Sequence, residues 1–84
     1  MSADPTYQYQ RFGFTFVVYS NRIDISERQL LGTKTSTILA RQIASVEIAI
    51  GGKLTITLTD ATRRTYALGT SAEEAQRAIL AILS

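Results

Sequence analysis

The sequence predicts a mainly β (α+β) domain of six or seven antiparallel strands capped by one C-terminal helix. Two observations support this fold class. Apolar and polar residues alternate with period two through most of the chain, which is the pattern of half-buried strands. After residue 70 the apolar residues recur at helical spacing instead. At 84 residues, 45% of them hydrophobic, the chain is predicted to form one domain, 1–84, around a single core.

The first half of the chain predicts a β-hairpin. In the run FGFTFVVY, residues 12–19, one predicted core face carries Phe12, Phe14, Phe16 and Val18. Ser20 and Asn21 supply turn residues before a second alternating run, RIDIS, which completes the hairpin. The preceding TYQYQ predicts a further strand, and residues 1–6 are predicted to be flexible.

The middle of the chain predicts a loop and two more strands. ERQLLGTK, with Gly32 in a polar setting, is interpreted as the loop, and TKTSTILA, rich in β-branched residues, as the strand that follows. In RQIASVEIAIGG, Val46, Ile48 and Ile50 share one face. Ile43 has the other parity, which predicts a bulge or a tight turn near residues 44–45.

Two strands then follow a glycine turn. Gly51 and Gly52 predict a hairpin, because glycine adopts positive φ angles freely. The next strand, KLTITLT, alternates inward apolar residues with outward threonines and ends at Asp60. In the returning run TRRTYAL, Arg63 and Arg64 are adjacent, so they are predicted to point to opposite faces of a regular strand.

The tail predicts an amphipathic helix over residues 71–83. Ser71 and Glu74 have the spacing of a capping box. One helical face carries the predicted core residues Ala75, Ala78, Ile79, Ile82 and Leu83. Glu73 and Arg77 are predicted to pair on the other face. Leu80 lies off the apolar stripe, which places it at the rim of the core or leaves it available to a partner.

The composition argues against catalysis and against cofactors. The chain has no cysteine and no histidine, which excludes disulfides, thiolate chemistry and zinc sites of the Cys/His kind. A nucleophilic serine or threonine would therefore lack its usual base, and the carboxylates are dispersed over separate strands and turns. The sequence predicts that the protein is not an enzyme and holds no cofactor or metal.

Charge and hydropathy limit the partners. The formal net charge is +2, without a run of like charges, so the basic stripe typical of nucleic-acid binding is not present and no nucleic acid is expected. The N-terminus lacks the basic and apolar regions of a signal peptide, and no apolar run approaches the roughly 18 residues of a membrane span. A cytoplasmic protein without stable membrane insertion is expected.

Three segments carry a family resemblance: TSTILARQIASVEI, GKLTITLTDATRRTYAL and SAEEAQRAI. In this order they resemble the short bacterial pleckstrin-homology-like (PH-like) domains, over about Phe14 to Leu83. The resemblance implies a partly open barrel of two bent sheets, plugged by the helix and used as a binding or oligomerisation platform. Relatives that bind phosphoinositides carry a basic cluster in the hairpin made by their first two strands, and the corresponding segment of this chain, QYQRFGFTF, has Arg11 alone.

The leading functional hypothesis is a protein-interaction or self-association module. Its candidate contacts are an exposed strand edge and the apolar residues placed off the predicted core, namely Leu30, Leu31 and Leu80. The partner would be another protein or a second copy of the chain. A virally encoded inhibitor of a host protein would be a further form of this role.

The alternative hypothesis is a weak anion or membrane-surface binder that uses Arg63, Arg64 and neighbouring loop cations. In a plain meander those neighbours would be Arg22 and Arg41, whereas in the bent PH-like geometry they would be Arg28 and Lys34. At roughly 1 kcal/mol per basic residue near an anionic surface, four cations give a dissociation constant of about a millimolar. Charge alone therefore predicts at most a weak surface contact.

Overall fold

The strands form two antiparallel sheets, to which one C-terminal helix is added. The structure is a computed structural model that describes residues 4–83. The four-stranded sheet has the order β1 (Tyr7–Arg11), β2 (Phe14–Val18), β3 (Arg22–Gln29) and β4 (Gly32–Leu39). The three-stranded sheet has the order β5 (Ile43–Ala49), β6 (Lys53–Leu58) and β7 (Arg63–Ala67). Helix α1 spans Ala72–Leu83, so the mainly β architecture with a C-terminal helix is confirmed.

The first predicted hairpin is present, and the strand predicted before it pairs alongside. β2 and β3 are antiparallel neighbours, with Val18 opposite Ile23, and β1 pairs with the other edge of β2. The N–H of Thr6 donates to the carbonyl of Val18 at 2.7 Å, which continues this pairing beyond β1. The predicted flexibility of residues 1–6 falls partly on residues 1–3, which lie outside the described residues.

Two expectations about the chain between strands are wrong. Phe12, expected in the core, lies in the β1–β2 turn with φ 45° and is 94% exposed. Ile50, expected on the inner face of its strand, lies in the β5–β6 turn and is likewise almost fully exposed. In both cases the alternation of apolar residues continues into the neighbouring turn, before the start of β2 and after the end of β5. Periodicity alone does not mark where a strand begins or ends.

The predicted loop over residues 27–34 is much shorter than expected. β3 continues to Gln29, which pairs with Gly32 at the start of β4, so only Leu30 and Leu31 form the turn. The irregularity predicted near residues 44–45 is confirmed, because the pairing of β5 with β6 shifts register between Ile43 and Ser45.

The core lies between the two sheets and the helix. Its fully buried large side chains are Phe16, Val18, Ile23, Ile25, Ile38, Leu54, Ile56, Leu68 and Ile79. Helix α1 contributes Ala75 and Ile79 to the core and packs mainly against β5. A short 3₁₀ turn, Gly69–Ser71, leads into the helix, and the carbonyl of Ser71 accepts a hydrogen bond from the Tyr7 hydroxyl at 3.3 Å.

The exposed face of the helix carries the predicted ion pair. Arg77 Nη2 lies 3.9 Å from Glu73 Oε2, one helical turn away. Both side chains are largely exposed, so the pair contributes little to stability. Within residues 4–83, no helix is long and apolar enough to cross a membrane.

The hairpin tip as a candidate binding surface

Two turns of the four-stranded sheet lie side by side at one end of the molecule. The β1–β2 turn is formed by Phe12 and Gly13, and the β3–β4 turn by Leu30 and Leu31. The backbone N–H of Arg28 donates to the carbonyl of Gly13 at 2.8 Å, which fixes one turn beside the other. We call the three apolar side chains at these turns, Phe12, Leu30 and Leu31, the hairpin tip. Their exposed fractions are 94%, 99% and 99%.

The β1–β2 turn holds Phe12 in an unfavourable backbone conformation. Phe12 has φ 45° and Gly13 has φ 82°, and a two-residue turn with both φ angles positive is usually built from Asn-Gly or Gly-Gly. A bulky residue at positive φ is uncommon and strained. An exposed phenylalanine in this position therefore adds nothing to the core and costs backbone energy.

Three cations surround the hairpin tip, and we call Arg11, Arg28 and Lys34 the basic collar. The guanidinium carbon of Arg11 lies 5.4 Å from the centre of the Phe12 ring. The Arg28 side chain lies against Gly13, whose missing Cβ would come within 2.9 Å of Arg28 Cβ. Lys34 pairs in register with Glu27, while the adjacent Arg28 pairs with Thr33 and so faces the opposite side of the sheet. The collar therefore presents positive charge on both faces behind the tip.

One face of the collar continues into the space between the sheets. Arg11, Phe14, Glu27 and Lys34 are directly opposite one another across β1 to β4 and share this inner face. The Phe14 ring lies 6.1 Å from that of Tyr66 on β7. The inner face at this end thus combines aromatic rings with two cations and one carboxylate.

The Tyr66 phenol on β7 is influenced by charged residues of both sheets at this end of the molecule. Burial raises the pKa of the Tyr66 phenol, the nearby Arg64 acts in the opposite direction, and the charge of Glu27 raises the pKa further. Arg64 and Glu27 are both within electrostatic range of one phenol, although they belong to different sheets. Arg64 and Tyr66 are two residues apart on β7 and share one face of that strand, so Arg64 lies on the side from which Tyr66 contacts Phe14.

The structure separates the predicted site residues into three places. Leu30, Leu31, Arg28 and Lys34 come together at the tip and collar. Arg63 pairs with Thr57 and Arg64 pairs with the buried Ile56, so the two arginines face opposite sides of β7 and do not form one clamp. Leu80 lies on helix α1, 48% exposed and away from both.

The opposite end of the four-stranded sheet holds the cations expected for a plain meander. Arg41 lines a shallow depression of about 450 Å³ with Ser20, Asn21, Leu39 and Ala40. Arg22 lies beside it and is engaged by its neighbours: its Nε donates to Asp24 at 3.2 Å, and its guanidinium carbon stacks 4.1 Å from the centre of the Tyr19 ring. Arg22 is the first residue of β3, whereas Leu30 and Leu31 of the hairpin tip follow the last residue of β3. Arg22 and the adjacent depression with Arg41 therefore lie a full strand length away from the hairpin tip.

Sequence reasoning missed two members of the site, Phe12 and Arg11. The sequence feature that could have indicated the turn is Gly13 between two alternating runs, with the bulky Phe12 directly before it. Recognition of this turn would have placed Phe12 outside the core and Arg11 beside it. Comparisons with protein-family models, with curated proteins and with solved structures found no match for this chain. The candidate site is therefore defined by the geometry and chemistry of its own residues.

Proposed function

We propose that the protein is a non-enzymatic interaction module of PH-like fold, a partly open barrel, that binds its partner with the hairpin tip. The succession of a four-stranded sheet, a three-stranded sheet and a C-terminal helix supports the PH-like assignment. The observation that carries the binding role is the placement of three almost fully exposed large apolar side chains at two adjacent turns.

The hairpin tip has no structural role that would explain its composition. Turns favour Gly, Asn, Asp and Ser, which adopt positive φ angles at low cost or form local side-chain hydrogen bonds, and the side chains of Phe12, Leu30 and Leu31 offer neither advantage. Exposed apolar surface of several hundred Å² at one end of a domain is typical of interaction sites. A partner that covers the tip would remove this apolar surface from water, which is favourable at about 25 cal/mol per Å².

A photo-crosslinking amino acid at position 12 or 31 tests this proposal in cells of the source organism. We expect covalent adducts, whether to protein or to lipid, from both tip positions. The matched control is position 50, because Ile50 is as exposed as the tip leucines but lies at the β5–β6 turn of the other sheet. Adducts that form equally at position 50, or not at all at 12 and 31, would contradict the proposal.

A second candidate function is self-association through a sheet edge. β4 is eight residues long and, among the described strands, pairs only with β3, so its outer edge offers backbone donors and acceptors to another strand. Leu80 provides an additional exposed apolar contact on the helix. Light scattering coupled to size-exclusion chromatography, from about 10 μM to 1 mM, measures the mass directly. A discrete multimer is expected under this function, and a constant monomer mass would exclude it.

A further inference from the structure

We infer that the partner of the hairpin tip is the surface of an anionic lipid bilayer, into which Phe12, Leu30 and Leu31 insert while the basic collar contacts lipid phosphates. This inference rests on the function proposed above and names its partner class. It differs from recognition of one headgroup in a pocket, because it needs apolar insertion and a general positive potential.

The shape of the tip favours a fluid apolar partner. Three side chains projecting from two turns expose on the order of 500 Å² of surface. A stable protein interface buries about 800 Å² on each partner and needs matching shapes. The acyl region of a bilayer surrounds each projecting side chain without shape matching, so a small convex tip is sufficient there.

The charge around the tip favours an anionic surface over a second copy of the chain. Arg11 and Arg28 flank the β1–β2 turn, and Lys34 is three residues beyond Leu31 in the β3–β4 turn. In a symmetric tip-to-tip dimer these cations would face their own copies and repel one another. Anionic lipids instead complement them, and each cation near such a surface strengthens binding by about five-fold.

The apolar and the charged residues act at the same end of the molecule but at different depths in the bilayer. The apolar residues occupy the turns themselves, and the collar residues lie on or directly beside the adjoining strands. This order matches an interface in which phosphates lie above hydrocarbon. At roughly 1 kcal/mol for each of the three collar cations, charge alone gives a dissociation constant of about several millimolar. The apolar contribution strengthens this by about ten-fold or more for each inserted leucine.

Single-tryptophan variants test the insertion directly, because the natural chain contains no tryptophan. Phe12→Trp is mixed with vesicles of equal parts phosphatidylglycerol and phosphatidylcholine at 50 mM NaCl. We expect its emission to shift to the blue and to be quenched by brominated acyl chains. Ile50→Trp, equally exposed at a turn of the other sheet, is expected to show neither change. Equal responses from both variants, or no response from Phe12→Trp, would overturn the inference.

Co-sedimentation with the same vesicles separates the apolar and charge contributions. We expect the double variant Leu30→Ser/Leu31→Ser to lose on the order of 100-fold in partitioning, and Arg28→Gln about five-fold. Ile50→Ser should bind like the natural chain. Binding should also weaken in 300 mM NaCl and on pure phosphatidylcholine, whereas millimolar inorganic phosphate should not displace the protein. Displacement by phosphate would show a soluble-anion site and overturn the inference.

Failure of the bilayer inference is distinguishable from failure of the proposed function. If position 12 forms protein adducts in cells while the vesicles show no binding at 50 mM NaCl, the tip is a binding face and its partner is a protein. If neither assay responds, the interaction role of the tip is contradicted together with the bilayer.

Discussion

Replacing Phe16 with alanine is expected to reduce the free energy of unfolding by about 3–5 kcal/mol, whereas Phe12→Ala is expected to change it by less than about 0.5 kcal/mol. The chemical change is identical and the two residues are four positions apart on the same hairpin. Phe16 is 0% exposed, lies opposite Tyr9 and Ile25 in the sheet, and has its ring centre 5.5 Å from that of Tyr66. Its removal leaves a cavity between the two sheets, while Phe12 contributes nothing to the core.

Chemical denaturation followed by far-ultraviolet circular dichroism measures both changes. A domain of this size has a total stability of about 5–10 kcal/mol, so Phe16→Ala removes a large part of it. Phe16→Leu keeps most of the volume and should cost less than about 1.5 kcal/mol, which provides a folded variant for comparison. Similar losses for Phe12→Ala and Phe16→Ala would contradict the burial of one and the exposure of the other. In vesicle binding the order is expected to reverse: Phe12→Ala weakens it and Phe16→Leu does not.

The sequence predicts the elements well because period and turn chemistry are local properties. Leu54 and Ile56 alternate with threonines and are both buried in β6, and the wrong parity of Ile43 correctly indicates the bulge in β5. The alternation of apolar and polar residues does not show where a strand begins or ends. Phe12 and Ile50 continue the pattern of their strands, yet the backbone has already turned at both.

The candidate site was predictable only where residues departed from the pattern. Leu30 and Leu31 stand out because they are apolar within a polar segment, and the bent geometry implied by the family resemblance adds Arg28 and Lys34. Phe12 was not recognised as a site residue, because the alternation of apolar residues assigned it to the core. Its proximity to the leucines depends on contacts between distant parts of the chain, such as the hydrogen bond from Arg28 to Gly13, which no local pattern encodes.

Gly52→Ala is expected to reduce stability by about 2–5 kcal/mol, because it combines a left-handed backbone strain of about 1–2 kcal/mol with overpacking of about 1–3 kcal/mol. Gly52 has φ 74°, and a Cβ at this position would lie 2.6 Å from the Cα of Gly69, with the Gly69 carbonyl oxygen also in contact. These neighbours are backbone atoms, so rotation of a side chain does not relieve the overlap. The carbonyl of Gly52 also accepts hydrogen bonds from the N–H groups of Leu68 at 3.0 Å and Gly69 at 3.1 Å.

Gly51→Ala is the matched control. Gly51 has φ 89° in the same turn, but a Cβ there meets no atom within 4 Å, so only the backbone strain of about 1–2 kcal/mol is expected. Denaturation midpoints give the difference between the variants, and amide hydrogen exchange locates it. In Gly52→Ala the amides of Leu68 and Gly69 should lose protection, because displacement of the turn breaks the two bonds that hold the segment between β7 and the helix against the β5–β6 turn. Equal losses of stability and protection in the two variants would contradict this contact, whereas a loss confined to Gly52→Ala would show that the contact between Gly52 and Gly69 connects the three-stranded sheet to the segment that leads into the helix.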